Sequence, residues 1–509
     1  MVSALSPLCH LTKLWAACME RRPSLRVRLV AIAVVLISTP LHTSESDCYR
    51  IVSLPLPDGL KLEVGGLARL PHGRLAAAVR KGEVWIVEDA YVEPPKAPKF
   101  RRFASGLHEP LGLTYRDGFL YLAQRSEVTR LADHDGDGIA DEYLTVGKGW
   151  GVSGNYHEYA YGPKFDPQGN LWIMLNSNFG EKGPWPEQRW RGWSIVLRPD
   201  GSWEPVAAGF RSPCGLGFNL AGDLFAVDSQ GGWVATCPLF HIEKGAFYGY
   251  VPALADAKRP ESPVKHPGKI PTGLTVPEAA RVIPGFKLPA VWFPYRKMGQ
   301  ASTDVLCDTT EGKFGPFAGQ LFVGDFTLAL ISRVALERVN GVYQGACFPF
   351  RRGFGSAVFR MEWGADGSMF VGETNRGWNS LGTRSYGLER LVWTGKVPFE
   401  VKTMVVQPDG FFLTFTKPVH RAGAAVTDAY RMKSYTYKYH QTYGSPEVDT
   451  RELRIDSATV SSDAFGVRLV VDELREGYVH ELHLPGVRAV SGELLLHPQA
   501  YYTLNTLPR

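Results

Sequence analysis

The sequence predicts an all-β protein, a six-bladed β-propeller followed by a small immunoglobulin-like β-sandwich, and three observations predict it. The first is composition: 54 Gly and 36 Pro in 509 residues, 44% hydrophobic and 21% charged, supply many turns, and few long runs have helical period. The second is a repeated phrase in which a turn and a Gly introduce an apolar strand. It occurs at Gly73-Arg74-Leu75, Gly118-Phe119-Leu120, Gly169-Asn170-Leu171, Gly222-Asp223-Leu224, Gly319-Gln320-Leu321 and Gly367-Ser368-Met369. Successive glycines stand 45, 51, 53, 97 and 48 residues apart, and a period near 50 is that of a propeller blade, four strands that bury both faces only when neighbours stack in a ring. The third is that the period stops after Trp393-Thr394-Gly395, where short alternating runs such as Phe411-Phe412-Leu413-Thr414-Phe415 and Val467-Arg468-Leu469-Val470-Val471 take over. Such runs suggest a sandwich.

Taken in order, residues 1–44 read as a secretory signal, because Arg21, Arg22, Arg26 and Arg28 precede the apolar residues 29–37 and then Ser, Thr and Pro. Met19 is a plausible true start. The apolar run is about half of the roughly 20 residues a membrane span needs, so export to the periplasm or beyond is expected, with membrane anchoring the rival if the segment is uncleaved. Cleavage near Ser44 removes Lys13 and four Arg against Glu20, so the formal charge falls from +5 by 4 to +1. That balance gives no reason to expect a nucleic-acid partner. Residues 48–394 form the propeller, with the Pro-rich residues 252–294 as a long connection inside a blade rather than a missed blade, seven blades being the alternative. Residues 396–509 form the sandwich, a structural or docking module without catalytic spacing. Cys48, Cys214, Cys237, Cys307 and Cys347 follow the signal; in an oxidising compartment one or two bridges are expected, with Cys214–Cys237 and Cys307–Cys347 nearest in sequence but connectivity open. No Cys-x-x-Cys-His occurs, so haem c attachment is not expected.

Two places carry chemistry on local grounds. Asp133-His134-Asp135-Gly136-Asp137-Gly138-Ile139-Ala140-Asp141 puts carboxylates at positions 1, 3, 5 and 9 of a calcium loop with Gly at 6, though Leu144 stands at 12 where a bidentate Glu is usual. A structural Ca²⁺ held by Asp133, Asp135, Asp137 and Asp141 is expected, a solvated acidic turn being the alternative. The second place is Gly209-Phe210-Arg211-Ser212-Pro213, followed by Asp228-Ser229-Gln230-Gly231-Gly232 and by Gly245-Ala246-Phe247-Tyr248-Gly249-Tyr250. A permanently charged Arg ahead of a tight turn, and a Gly pair that can aim backbone carbonyls at one point, could grip an anion beside a hard cation.

The order and spacing of these last motifs resemble the soluble quinoprotein glucose/sorbosone dehydrogenase family, which has an Arg-Asn-Pro turn, a Gln-Gly-Pro calcium loop and a Gly-x-Asn-Tyr-Gly-Trp strand. A closer resemblance, over nearly the whole mature chain, is to secreted bacterial propellers described as membrane-bound or sorbosone-type dehydrogenases. They have similar Asp-Gly-Asp-Gly-x-Ala-Asp, His-Glu-Tyr-Ala-Tyr-Gly-Pro and Tyr-Tyr-Thr-Leu-Asn phrases. The resemblance implies a dehydrogenase of a sugar or related alcohol that uses pyrroloquinoline quinone (PQQ) and Ca²⁺ and passes electrons to a separate carrier such as a cytochrome c. His157 would be the general base, as a neutral imidazole suits near pH 7. Arg211 would face the quinone oxygen, Arg360 would pair with a cofactor carboxylate, and the main-chain oxygens of Gly231 and Gly232 would hold the catalytic Ca²⁺. Ser212 in place of Asn, Tyr156 in place of Asp and Thr327 near the place of a Lys each remove a contact to the cofactor. They support a rival, a non-catalytic propeller that binds glycan or protein partners. A second rival is a metal-dependent lactonase-type hydrolase, because the fold alone does not select a chemistry.

Overall fold

In the computed structural model, which describes residues 43–180 and 188–509, six four-stranded antiparallel sheets are followed by a two-sheet C-terminal part. The expected signal segment lies almost wholly outside the described residues. Sheet I comprises Val64–Arg69, Leu75–Val79, Glu83–Glu88 and Lys99–Ala104; sheet II comprises Leu113–Arg116, Phe119–Ala123, Glu127–Ala132 and Glu142–Lys148. Sheet III runs through Ala160–Phe165, Leu171–Leu175, Trp193–Leu197 and Trp203–Ala208, and sheet IV through Gly215–Phe218, Leu224–Val227, Cys237–His241 and Val291–Phe293. Sheet V is Ser302–Cys307, Leu321–Asp325, Leu330–Val339 and Val342–Arg352. Sheet VI is Val358–Trp363, Met369–Thr374 and Tyr386–Trp393, completed by Tyr49–Ser53 from the other end of the chain. The first strands of the six sheets touch one another in a closed circuit, I to II and onward to VI and back to I. This is the β-propeller arrangement.

Every one of the six repeated glycines introduces the second strand of its sheet, and all six have φ between 69° and 90°. The left-handed turn between the first and second strands therefore needs Gly, which explains why that residue marks the period. The doubled interval is also accounted for. Residues 242–290 join the third and fourth strands of sheet IV through the 3₁₀ segment Val251–Lys258, the short strand Leu274–Thr275 and the helix Val276–Val282. That helix starts at Thr275, whose side chain and Glu278 form a capping box.

Near the axis the inner strands approach backbone to backbone. A Cβ on Gly112 would lie 2.0 Å from the Gly162 carbonyl oxygen, and one on Gly215 would lie 2.1 Å from that of Thr303. No side chain fits there.

Beyond residue 396, Val401–Gln407, Gly410–Phe415, Gly466–Val471 and Ile455–Val460 form one sheet. The other sheet does not stand apart: Gln499–Leu504, Tyr478–His483, Arg431–Thr436 and Val448–Leu453 extend sheet V from its outer strand into a single eight-stranded sheet. One hydrophobic core joins Ala346 and Phe348 of sheet V with Phe411, Leu413, Leu469 and Tyr502. The fully buried Arg333 of sheet V donates to the carbonyls of Val401 and Lys402 and to Gln320 Oε1. Propeller and C-terminal part thus form one compact unit.

The five described cysteines are buried free thiols. Cys214 and Cys237 flank the first and third strands of sheet IV, and Cys307 and Cys347 lie on the first and fourth strands of sheet V. At about 4.8 Å per strand, pairs at least two strands apart exceed the roughly 7 Å that a disulfide spans.

Candidate functional site

His157 and Arg211, on loops leading into different sheets, line one cavity of 440 Å³. Its wall also includes Arg80, Tyr159, Tyr161, Asn176, Phe179, Phe326, Phe359, Arg376, Trp378 and Tyr443, and among the described residues none that lines it is Asp or Glu. It is cationic and aromatic.

The loop that carries His157 is built by hydrogen bonds to its backbone. Asn155 Oδ1 accepts from the His157 amide at 2.8 Å, and Asn176 Nδ2 donates to the His157 carbonyl at 2.8 Å. Arg125 donates to the carbonyls of Asn155 and Tyr156 and to Glu109 Oε2, which fixes the loop from below. The imidazole stacks on Phe179 with centroids 4.2 Å apart, and its Nδ1 is buried on the side of Gly180. Arg80 donates to Glu109 Oε1, to the Tyr159 hydroxyl and to the Arg376 carbonyl, which ties the 375–385 loop to the same wall. Although burial opposes its ionisation, Glu109 is held below the ordinary carboxylate range by Arg125 and Arg80.

Arg211 is placed by its turn. The buried Asp228 accepts the amides of Arg211, Ser212 and Ser229 at 2.6–2.7 Å. Burial pushes its carboxyl up to about 6 even though these amides favour the charged form. The guanidinium donates Nη1–H to the Gln230 carbonyl at 3.2 Å and lies 3.8 Å from the Phe179 ring centroid.

The remaining expected residues fall differently. Gly231 and Gly232 are not in the cavity wall. The Gly231 carbonyl accepts from the Val234 and Gly444 amides at 3.2 and 2.9 Å, so both its lone pairs are committed and it is not the catalytic Ca²⁺ ligand expected. A Cβ at 231 would sit 2.1 Å from Arg211 Nε; glycine is there to let Arg211 lie across the chain. Gly232 instead forms a bridge with Tyr443.

Arg360, expected to pair with a cofactor carboxylate, likewise lies outside the cavity wall. It is buried in the axial channel beneath the cavity and donates to the carbonyls of Gly65, Leu111, Thr303 and Phe359. Those oxygens belong to the inner rims of four sheets, so the guanidinium acts as a bolt across the ring. Thr327 is behind Phe326 and outside the wall.

In the acidic loop the carboxylates of Asp133, Asp135 and Asp141 converge within 4.8 Å of one another. Asp137, expected with them, is turned aside: its Oδ1 accepts the Ile139 amide and its carbonyl accepts from Arg101. Arg80, Phe179, Arg376, Trp378 and Tyr443 carry no sequence motif. Only the arginine at the end of an otherwise apolar strand, Leu75-Ala76-Ala77-Ala78-Val79-Arg80, stands out as a buried charge.

Fold and cavity together define a propeller protein with a cationic, aromatic cavity walled by residues from several of its sheets and loops. The chain belongs to the family described as domain of unknown function DUF7133, whose model matches residues 66–342, from sheet I to the start of the last strand of sheet V. No curated protein matches the chain. Similar solved structures include the PQQ-bound aldose sugar dehydrogenase of Streptomyces coelicolor, 16% identical, TM-score 0.47, covering 68% of this chain and 98% of that one. Others are the soluble aldose sugar dehydrogenase of Escherichia coli in its apo-form, at 16%, 0.48, 67% and 99%, and the PQQ domain of pyranose dehydrogenase from Coprinopsis cinerea, at 12%, 0.44, 68% and 95%.

Proposed function

We propose that the protein is an exported dehydrogenase-like enzyme that oxidises a sugar or related alcohol, built as a six-bladed ring with an immunoglobulin-like sandwich. The observation that carries the reading is the convergence of His157 and Arg211 in one cavity. The donor set suits PQQ in part: Arg211 and Arg376 offer fixed cations, and Phe179, Tyr443 and Trp378 offer flat faces to an anionic planar ring. A quinone bound there would accept the hydride released as a hydroxyl becomes a carbonyl. His157 takes the hydroxyl proton on its imidazole. Arg211, which cannot lose its proton, stabilises negative charge as it develops on the ligand. The Gly231 carbonyl does not suit Ca²⁺ at this site, so no step uses it; Ca²⁺ belongs instead at the Asp133, Asp135 and Asp141 cluster. Electrons leave to a separate carrier such as a cytochrome c, in the periplasm or outside the cell.

The test is dye reduction by purified protein with PQQ and Ca²⁺ over a panel of sugars and alcohols. His157→Ala should lower turnover by about 10² or more, as loss of a general base does, while the PQQ-induced rise in melting temperature persists. A wild-type protein that reduces no dye and shows no such rise sinks the reading.

One observation favours the non-catalytic rival: Tyr156, Trp378 and Tyr443 expose large aromatic surfaces at the cavity mouth, and such faces suit stacking of sugar rings without chemistry. In that case glycans would raise the melting temperature without PQQ. The hydrolase rival finds no side-chain carboxylate among the described residues of the cavity wall.

A further inference from the structure

Among the described residues, the cavity is walled by propeller residues with one exception: Tyr443 comes from the C-terminal part, and every other described lining residue lies at or before position 378. Its ring is 58% exposed, yet the Arg211 guanidinium carbon lies 5.5 Å from its centroid, on a cation already 3.8 Å from Phe179. The turn that carries it is held closely. Gly232 and Tyr443 form an antiparallel bridge, and the amides of Gly444, Trp233 and Ser445 donate at 2.9 Å to the carbonyls of Gly231, His440 and Ala235. Gly444 sits at φ 63°, and a Cβ there would lie 2.7 Å from the Gln230 side chain. The turn therefore follows the 230–235 segment without a gap, and that segment is the one over which Arg211 lies.

We propose that Tyr443 is a positioning residue for Arg211, so that the C-terminal part completes the ligand cavity. The inference rests on the reading of Arg211 as the cation that meets the ligand. A guanidinium with one hydrogen bond, to Gln230, is free to swing about that contact unless its flat faces are held. Phe179 and Tyr443 supply those faces, attracted by the positive charge. The exposed side of the Tyr443 ring then borders the path to Arg211, which makes the same residue a discriminator between ligands that present a flat face there and those that do not.

The test is phenylglyoxal labelling of Arg211 in the full chain without ligand, followed by peptide mass spectrometry with the exposed Arg281 as internal standard. Tyr443→Ala should raise the relative Arg211 rate about threefold or more, and Tyr443→Phe should leave it near the wild-type rate, because the phenyl face keeps the cation attraction. If Tyr443→Ala lowers the melting temperature by more than about 10 °C, Tyr443→Leu, which keeps the bulk packing the turn, takes its place in the comparison. An Arg211 rate unchanged in the folded variant overturns the proposal, as does an equal rise in Tyr443→Phe. Where wild-type protein turns over a sugar with PQQ, Tyr443→Ala should lower kcat more than it raises KM, with Tyr443→Phe restoring kcat. An inert wild-type protein removes the dehydrogenase reading but leaves the labelling result to decide the role of Tyr443.

Discussion

Arg360 shows how a residue of the right type near the right place can serve the ring instead of the ligand. Four of its five N–H donors are taken by backbone carbonyls. Arg360→Lys should destabilise the protein by about 2 kcal/mol, because an ammonium cannot reach carbonyls on several sides at once. Denaturant unfolding measures this, and the PQQ-induced shift in melting temperature should be unchanged in the variant. A loss of that shift with stability intact would return Arg360 to the ligand. The sequence could not separate these outcomes. An Arg in an inner strand looks the same whether it points along the axis or into the cavity, and that choice depends on backbone from four sheets. The meeting of His157 and Arg211 in one cavity was legible because they stand 12 and 11 residues ahead of Gly169 and Gly222, at corresponding places before a Gly-led strand.

The 375–385 loop, which brings Arg376 and Trp378 to the cavity, is anchored by two buried carboxylates. Glu373 lies next to the end of the strand before it, Glu389 lies in the strand after it, and Arg384 binds Glu389. Burial and the neighbouring Glu389 push the Glu373 carboxyl up to about 8 from its ordinary 4.5. Between those values the folded protein holds a proton that the unfolded chain has released, so this pair weakens the fold as pH rises from about 4.5 to 8. Glu373→Gln keeps the neutral shape and should gain on the order of 2 kcal/mol at pH 8, with little gain at pH 5. Melting curves across that range decide it; an equal effect at both pH values would mean that packing, not charge, governs the pair. The acidic loop of sheet II makes a parallel case. Its three convergent carboxylates repel when bare, so chelator should lower the melting temperature by several degrees, and Asp133→Asn should make the protein insensitive to chelator. Here the alternation of Asp with Gly was readable, but not the departure of Asp137, since a local amide and Arg101 compete for its oxygens.

At the scale of the molecule, the six sheets followed directly from the spacing of six glycines, whereas the junction with the C-terminal part did not. The change of period at Gly395 suggests a boundary, yet the sheet crosses it and two cores are shared across it. Edge-strand pairing between Val342–Arg352 and Gln499–Leu504 joins residues over 150 positions apart and leaves no local signature. His497 adds a second tie, bonded to Glu400 at 2.6 Å and Glu45 at 3.0 Å, and these carboxylates raise its pKa to about 9 despite burial. A chain ending at Gly395 would expose the outer strand of sheet V and the apolar side of Phe348, and would strip Arg333 of two carbonyl partners. It should therefore be recovered insoluble or with a melting temperature lower by 10 °C or more. A soluble truncation with undiminished melting would show that the propeller stands alone.

The strand Tyr49–Ser53 completes sheet VI by lying along Tyr386–Trp393. The first strand among the described residues thus waits for a partner translated more than 300 residues later. Until then sheet VI lacks its outer edge and the ring has a seam. Traction on the N-terminus would peel this five-residue strand bond by bond, like a zip, whereas traction that slid it along its length would load all its bonds together. The seam is where a pulled ring would first come undone.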